Sequence, residues 1–447
     1  MFDVGGFRAT TCGGVSRRSF LRLGASAAAG LGLGVSPRIE ASAESGRAKS
    51  VILLWLWGAP SHLDMFDPKP DAPLEYRGPF TPIDTRMPGV QFTELLPRLA
   101  QCSDKFALVR SMQSKDTGHV GSGTTGLTGF PEGAVIHPNF GSIIAKHTLK
   151  SRGTADLPPF FAIGPGIPRD AATVMKGYGG GRLGAQYDPF MIDCLDTGEV
   201  KLPALQLLDG LSPHRLDDRR TLLTSLDDSV RTLDRAGFDS WNRTFQSAYG
   251  LLTRPETRRA FDLTCESDDI RARYGYTSFG QSCLLARRLV EAHVPYIQVN
   301  WSHYVEAMTP HCDVGWDTHI FNFEHLQDRL CPIFDRVMPV LLADLEDRGL
   351  LNDTLVIAMG EFGRAPKINP RAARDHWANA YFSLWAGAGV APGRVIGETD
   401  RLGEHPLTPA ITPLMTGATL CDLAGLNVQT RSELNVLPDG RVLTELF

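Results

Sequence analysis

Residues 50–57 read Ser-Val-Ile-Leu-Leu-Trp-Leu-Trp and run straight into Gly58-Ala59-Pro60. A continuous apolar run this short, closed by turn residues, reads as a strand buried on both faces, the habit of parallel sheets. Residues 106–112, 159–164, 295–301, 354–360 (TLVIAMG) and 381–386 read as further strands. Residues 278–294 have the spacing of an amphipathic helix, 320–349 form another long helical stretch, and 213–292 are mostly helical in pattern. Strands separated by helices predict an α/β fold, a mostly parallel sheet with helices on both faces in a three-layer sandwich. Residues 165–200, rich in Gly, Pro and Asp, read as a long surface loop or small insertion. Residues 44–447 are expected to form a single domain, in which 205–275 is a helical cap or insertion.

The chain has 447 residues, of which 43% are hydrophobic and 21% charged, with a formal net charge of −5. These values exclude a disordered protein, a collagen-like fibre and a polytopic membrane protein. The acidic balance argues against a nucleic-acid partner. Residues 16–22, Ser-Arg-Arg-Ser-Phe-Leu-Arg, precede a weakly apolar stretch and then Ala41-Ser42-Ala43. This resembles a twin-arginine export signal over residues 1–43, with cleavage expected after Ala43. It implies a periplasmic or secreted protein, and no later run approaches the roughly 18 apolar residues of a membrane span. Of the eight cysteines, seven lie beyond Ala43, scattered and without a CxxC pair. An exported chain could form disulfides, but an odd number leaves one thiol unpaired within it.

In such sheets functional groups collect at the carboxyl ends of the strands. After the first strand come His62 and Asp64, readable as metal ligands or as loop and turn residues. After the second comes Gly118-His119-Val120-Gly121-Ser122-Gly123-Thr124-Thr125-Gly126-Leu127-Thr128-Gly129. It offers Ser122, Thr124 and Thr125 as hydroxyl nucleophiles and His119 as base or ligand; by itself it reads best as a glycine-rich turn. Beyond Trp301 lies the densest polar cluster, with His303, Glu306, His311, Asp313, Asp317, His319, Glu324 and His325. Imidazoles and carboxylates together suit a divalent ion such as Zn²⁺ or Mn²⁺, although a His-rich surface loop would look the same. After TLVIAMG come Glu361, Arg364 and Lys367, and before the next strand comes Asp375-His376. Glu361 is readable as a ligand, or with Arg364 as a salt bridge capping the strand.

The segments SRRSFLRLG, GAPSHLDMFDPKP, GWDTH, MGEFGRAPKIN and RDHWANAYFSLWAGAGV, in this order, resemble the exported bacterial family known as domain of unknown function 1501. The resemblance spans about residues 16–430. That family is similar in plan to the alkaline phosphatase, sulfatase and phosphoglycerate mutase superfamily, whose metals sit above a parallel sheet. The resemblance therefore implies an alkaline-phosphatase-like fold. Asp317 and His319 resemble the first Asp…His ligand pair, Glu361 the Asp of the Asp-His-Gly motif, and His376 the last His ligand. The 118–129 segment resembles the nucleophile helix. The chain departs from the pattern in four places. Trp57-Gly58 stands where an Asp is usual, and Phe362 replaces a His. The Asp…His spacing is two instead of four, and His119 falls at the nucleophile position. The formylglycine signature of sulfatases is absent.

The expected activity is hydrolysis of phosphate or sulfate esters, with Asp317, His319, Glu361 and His376 holding one or two divalent ions (Zn, Mn or Ca), joined by His62 or Asp64. Ser122, Thr124 or His119 would act at the attacking position, while Arg364 and Lys367 steady the anion. The expected substrate is an anionic small molecule or a glycan ester. The alternatives are a non-catalytic exported binding protein that keeps the fold, and a mutase or transferase working through a covalent intermediate.

Overall fold

The computed structural model of the chain describes residues 47–149, 151–152, 157–202, 259–305 and 315–447. The export signal, most of the 205–275 segment, and Glu306, His311 and Asp313 lie outside the described residues. Nine strands form the main sheet: β1 (Ser50–Trp55), β2 (Ala107–Met112), β3 (Phe160–Ile163), β4 (Phe190–Cys194), β5 (Val200–Lys201), β6 (Tyr296–Asn300), β7 (Thr354–Met359), β8 (Tyr381–Ala386) and β9 (Arg394–Ile396). Their order is β9-β2-β8-β7-β1-β6-β3-β4-β5. β1 lies at the centre, parallel to β6 on one side and β7 on the other, with Val51 opposite Tyr296 and Leu355. Only β8 and β5 run against the rest.

Every residue of β1 is buried, as a strand covered on both faces must be. Alternate side chains enter opposite cores. Ile52, Leu54 and Leu56 pack towards helices α3 (Ser278–Glu291) and α4 (Cys331–Asp347). Val51, Leu53, Trp55 and Trp57 pack on the other side, towards α1 (His119–Thr128), α2 (Phe140–Thr148) and α5 (Pro413–Leu423). The sheet is thus mostly parallel with helices on both faces, as its sequence pattern predicts.

Two segments differ from expectation. The stretch 165–200 contributes β4 and β5 to the sheet, and only Ile192 and Cys194 of β4 are buried. A short half-covered strand between runs of Gly, Pro and Asp has too few apolar residues to show its period. The 118–129 segment is a ten-residue helix, not a turn. Its glycines serve packing: a Cβ on Gly123 would lie 2.6 Å from Trp57 Cζ3, and one on Gly126 would lie 2.5 Å from Trp55 Cη2. Small residues let this helix settle on two large indoles of β1. Among the described residues no helix is long and apolar enough to cross a membrane, and the six described cysteines are all free thiols.

Candidate metal centre

Four chain segments meet beyond the carboxyl ends of β1, β2, β6 and β7. The turn after β1 brings Gly58, at φ +111°, so close to the 316–319 loop that a Cβ there would lie 2.4 Å from Asp317 N. The Trp316 amide donates to Trp57 O at 2.9 Å, and the Asp317 amide to Val305 O at 3.0 Å. These bonds hold Asp317 and His319 over the central strands. The chain after β2 enters α1, which sets His119 in its first turn. The chain after β7 makes a two-residue antiparallel ladder, Gly363–Arg364 against His376–Trp377, with Arg364 opposite His376.

Asp317 Oδ1 is the hub. His119 Nε2 lies 3.3 Å from it, and His319 Nε2 and His376 Nε2 each lie 3.2 Å away. The other nitrogen of each ring is already engaged. His119 Nδ1 is 2.6 Å from Glu361 Oε1, His376 Nδ1 is 2.7 Å from the carbonyl of Thr117, and His319 Nδ1 is 3.3 Å from Asp375 Oδ1. A carbonyl or carboxylate can only accept, so each Nδ1 carries a hydrogen; Nε2 then faces Asp317 with a second hydrogen when the ring is charged and with a lone pair when it is neutral. His319 Nε2 and His376 Nε2 approach to 2.8 Å, and His119 Nε2 is buried beside Asp317 Oδ1. Ligand atoms of His119, Asp317 and His376 all fall within 4.8 Å of one another. Nε2 atoms converging on a carboxylate, each ring backed by an acceptor on the far nitrogen, are the arrangement of imidazole ligands around a metal. The residues fit a divalent ion.

Electrostatics point the same way. Burial pushes the His119 ring down, but hydrogen bonds to Asp317 and Glu361 outweigh it and hold its pKa up to about 9. Burial pushes Asp317 up, yet the bonds from His119 and His376 and the nearby Arg364 hold it well below the usual carboxylate range. Without an ion the centre stores its charge balance as protons, and an ion would take the place of the one on His119. Phe362 forms one wall, its ring 5.0 Å from that of His119 and 4.8 Å from that of His376. Trp57 stands edge-on to His119 at 5.7 Å.

The family model described as "Protein of unknown function (DUF1501)" matches residues 48–435. The chain belongs to the DUF1501 family. No curated relative matches it in sequence. Among solved structures it is similar to Ps i-CgsB (TM-score 0.39, 10% identity, 89% of this chain and 75% of that one). It is also similar to the lipoteichoic acid synthase LtaP from Listeria monocytogenes (0.36, 9%, 88% and 76%) and to the PsFucS1 sulfatase from Pseudoalteromonas sp. (0.35, 12%, 93% and 73%). Scores and identities this low establish neither activity nor substrate.

In this DUF1501 chain the structure brings together Asp317, His319, His376 and His119 and sets other candidates apart. Glu361 is fully buried behind His119, where it also accepts the Gly58 amide at 3.0 Å, so it orients the His119 ring from behind. His62 is buried against Gly403 O at 2.9 Å, and burial lowers its pKa below the ordinary value. Asp64 is tied to Arg374 by two bonds of 2.7 and 2.9 Å. Both therefore serve the loop rather than the cluster. Ser122 donates to Asp116 O at 2.6 Å and Thr124 to Val120 O at 2.9 Å, which occupies both hydroxyls with backbone. Arg364 is fully buried and pairs with Asp317 at 2.5 Å, so it steadies a carboxylate of the protein instead of a substrate. Lys367 stays exposed. His119 stands in the sequence reading as a base or ligand, and the structure sets it beside Asp317; Phe362 as a wall escapes that reading. The signal that finds His119 is its place at the first turn of the helix that follows a buried strand.

Proposed function

We propose that this chain is an exported, metal-dependent hydrolase of phosphate or sulfate esters. One observation carries the metal part: three imidazole Nε2 atoms converge on Asp317 Oδ1 while every Nδ1 is tied to an acceptor. His119, Asp317, His319 and His376 would hold the ion. Three nitrogens and one oxygen suit Zn²⁺ or Mn²⁺ better than Ca²⁺, which prefers an all-oxygen shell. When bound, such an ion polarises an ester oxygen and acidifies water.

The chain's own residues supply orientation and exclusion. Glu361, Thr117 O and Asp375 fix the three rings, and Phe362 and Trp57 close the inner side of His119 to water. Helix α1 begins at the centre, and its positive end favours an anionic group there. With Ser122 and Thr124 bonded to backbone, the attacking oxygen comes from water, which argues against a mutase or transferase working through either hydroxyl. The substrate class is an anionic small molecule or a glycan ester. Residues 1–43 support release into the periplasm or beyond.

The test is a panel of phosphate and sulfate esters assayed with the metal-loaded protein, the chelated protein and a His319→Ala/His376→Ala variant. These two histidines are chosen because Asp317 also satisfies Arg364, so its removal would disturb folding. Turnover that disappears on chelation, returns with Zn²⁺ or Mn²⁺ and is lost in a folded variant supports the reading. Tight metal binding with no turnover of any ester would favour a binding protein instead.

A further inference from the structure

A permanent positive charge sits inside the centre where a cation is to bind. Arg364 is fully buried. Its Nε donates to Ala59 O at 2.9 Å and its Nη1 to Arg374 O at 3.4 Å, while its Nη2 donates to Gly58 O and, at 2.5 Å, to Asp317 Oδ1. These partners come from the turn after β1, the 316–319 loop and the segment just before the strand partner of its own ladder. All three guanidinium nitrogens are engaged, so the group cannot turn to a substrate, and it stays charged at any working pH.

Charge counting shows what this does. The inner acids of the centre are Glu361, fully buried, and Asp317, nearly so, with Asp375 exposed at the rim, and Arg364 cancels one of the inner two. A single divalent ion then leaves the inner site about one charge positive, whereas a second ion would leave it about three positive around the buried Arg364 and Glu361. The donors are also missing. Among the described residues the metal-ligating side chains that converge are His119, Asp317 and His376, with His319 beside them, all gathered on the one oxygen Asp317 Oδ1. Glu361 is committed to the Gly58 amide and His119, Asp64 to Arg374, and Asp67 to Lys69 and Arg110.

We propose that the centre takes one divalent ion and no second, and that Arg364 enforces this by occupying, as a fixed cation, the oxygen nest made by Gly58 O, Ala59 O and Asp317 Oδ1. The proposal rests on the metal reading above. Removing the guanidinium would leave two carbonyls and a carboxylate facing one another, an all-oxygen set attractive to a hard cation.

The experiment is a count of bound ions. Chelated protein is saturated with Mn²⁺ or with Zn²⁺, passed over a chelating resin to strip weak surface ions, and analysed for metal per chain. Wild type is expected to keep one equivalent. Two equivalents would overturn the one-ion proposal while leaving the metal reading intact; none would overturn both. Arg364→Ala, with its fold checked by circular dichroism, is expected to gain a second equivalent of Mn²⁺. A folded Arg364→Ala that still holds one ion with unchanged affinity would remove Arg364 from the explanation. Should that variant not fold, Arg364→Lys, which keeps the charge, is expected to hold one equivalent like wild type. Two equivalents in a folded Arg364→Lys would overturn the role of the charge.

Discussion

Each imidazole of the centre is held by the nitrogen that points away from Asp317, so the groups behind the rings set how they would meet the proposed ion. Glu361 is the best placed to show it. Glu361→Gln keeps the shape but weakens the acceptor for His119 Nδ1, and is expected to lower metal affinity by roughly 10-fold or more. Competition against a chromophoric chelator reads this directly, and unchanged affinity would mean that His119 is oriented without Glu361. A second buried acid tests stability instead. Asp67 is desolvated, which raises its pKa, but Arg110, Lys69 and the Thr399 hydroxyl outweigh burial and hold it below the ordinary value. A carboxyl lowered in this way stabilises the fold above its unfolded pKa and loses that contribution as pH falls through the folded value. Asp67→Asn should therefore cost about 2–3 kcal/mol at neutral pH, discounted because Arg110 and Lys69 are partly exposed. The gap to wild type should close as the pH is taken below the carboxylate range. A gap in melting temperature that stays constant down to pH 2 would contradict this account.

At the scale of elements, α1 shows how composition can mislead. Three glycines in ten residues lower helix propensity, and read alone they suggest a turn. The indoles of Trp55 and Trp57 supply the reason for a helix, because only glycine permits the contact. Gly126→Ala tests which effect wins. Alanine gains up to ~1 kcal/mol of helix propensity, but its Cβ meets the rigid ring of Trp55 at 2.5 Å. Overpacking of this kind costs about 1–3 kcal/mol, so a net loss of melting temperature is expected. A stabilised variant would show that the helix can lift from the sheet. The direction of β8 has a similar origin. Its burial is legible in Tyr381–Ala386, but its antiparallel course is not. No crossover helix lies between β7 and β8. Residues 360–380 stay at the carboxyl end of the sheet, where they carry Glu361, Arg364 and His376, and the chain re-enters from that end.

For the whole molecule, the centre ties the loops after three strands and the first turn of α1 to one another, so an ion there should stabilise the fold as well as serve chemistry. Free ion at about 1,000 times its dissociation constant would add ~4 kcal/mol to unfolding. A denaturant midpoint that rises with Mn²⁺ or Zn²⁺ and falls on chelation is the expected result, and identical midpoints would contradict a site shared by these loops. The proposed export is tested on the whole chain as well. Arg17→Lys/Arg18→Lys is expected to keep the protein in the cytoplasm of a host with the twin-arginine system, with wild type in the periplasmic fraction. Equal distribution of the two would remove the export reading.

The sequence by itself determined the layered α/β architecture and the edge of the sheet where chemistry gathers. An unbroken apolar strand needs cover on both faces, and polar residues placed just beyond strands can go only to the rim; both are local consequences of burial. Asp317, His319 and His376 were legible for that reason. The division of labour among the acids, imidazoles and Arg364 was not. Whether Glu361 binds an ion or a histidine, and whether Arg364 meets a substrate or Asp317, depends on which partner stands within about 3 Å. The partner of Glu361 is His119, 242 residues away in the chain. Spacing along a sequence carries no record of such a distance, and only the folding of four separate strand ends onto one carboxylate oxygen decides it.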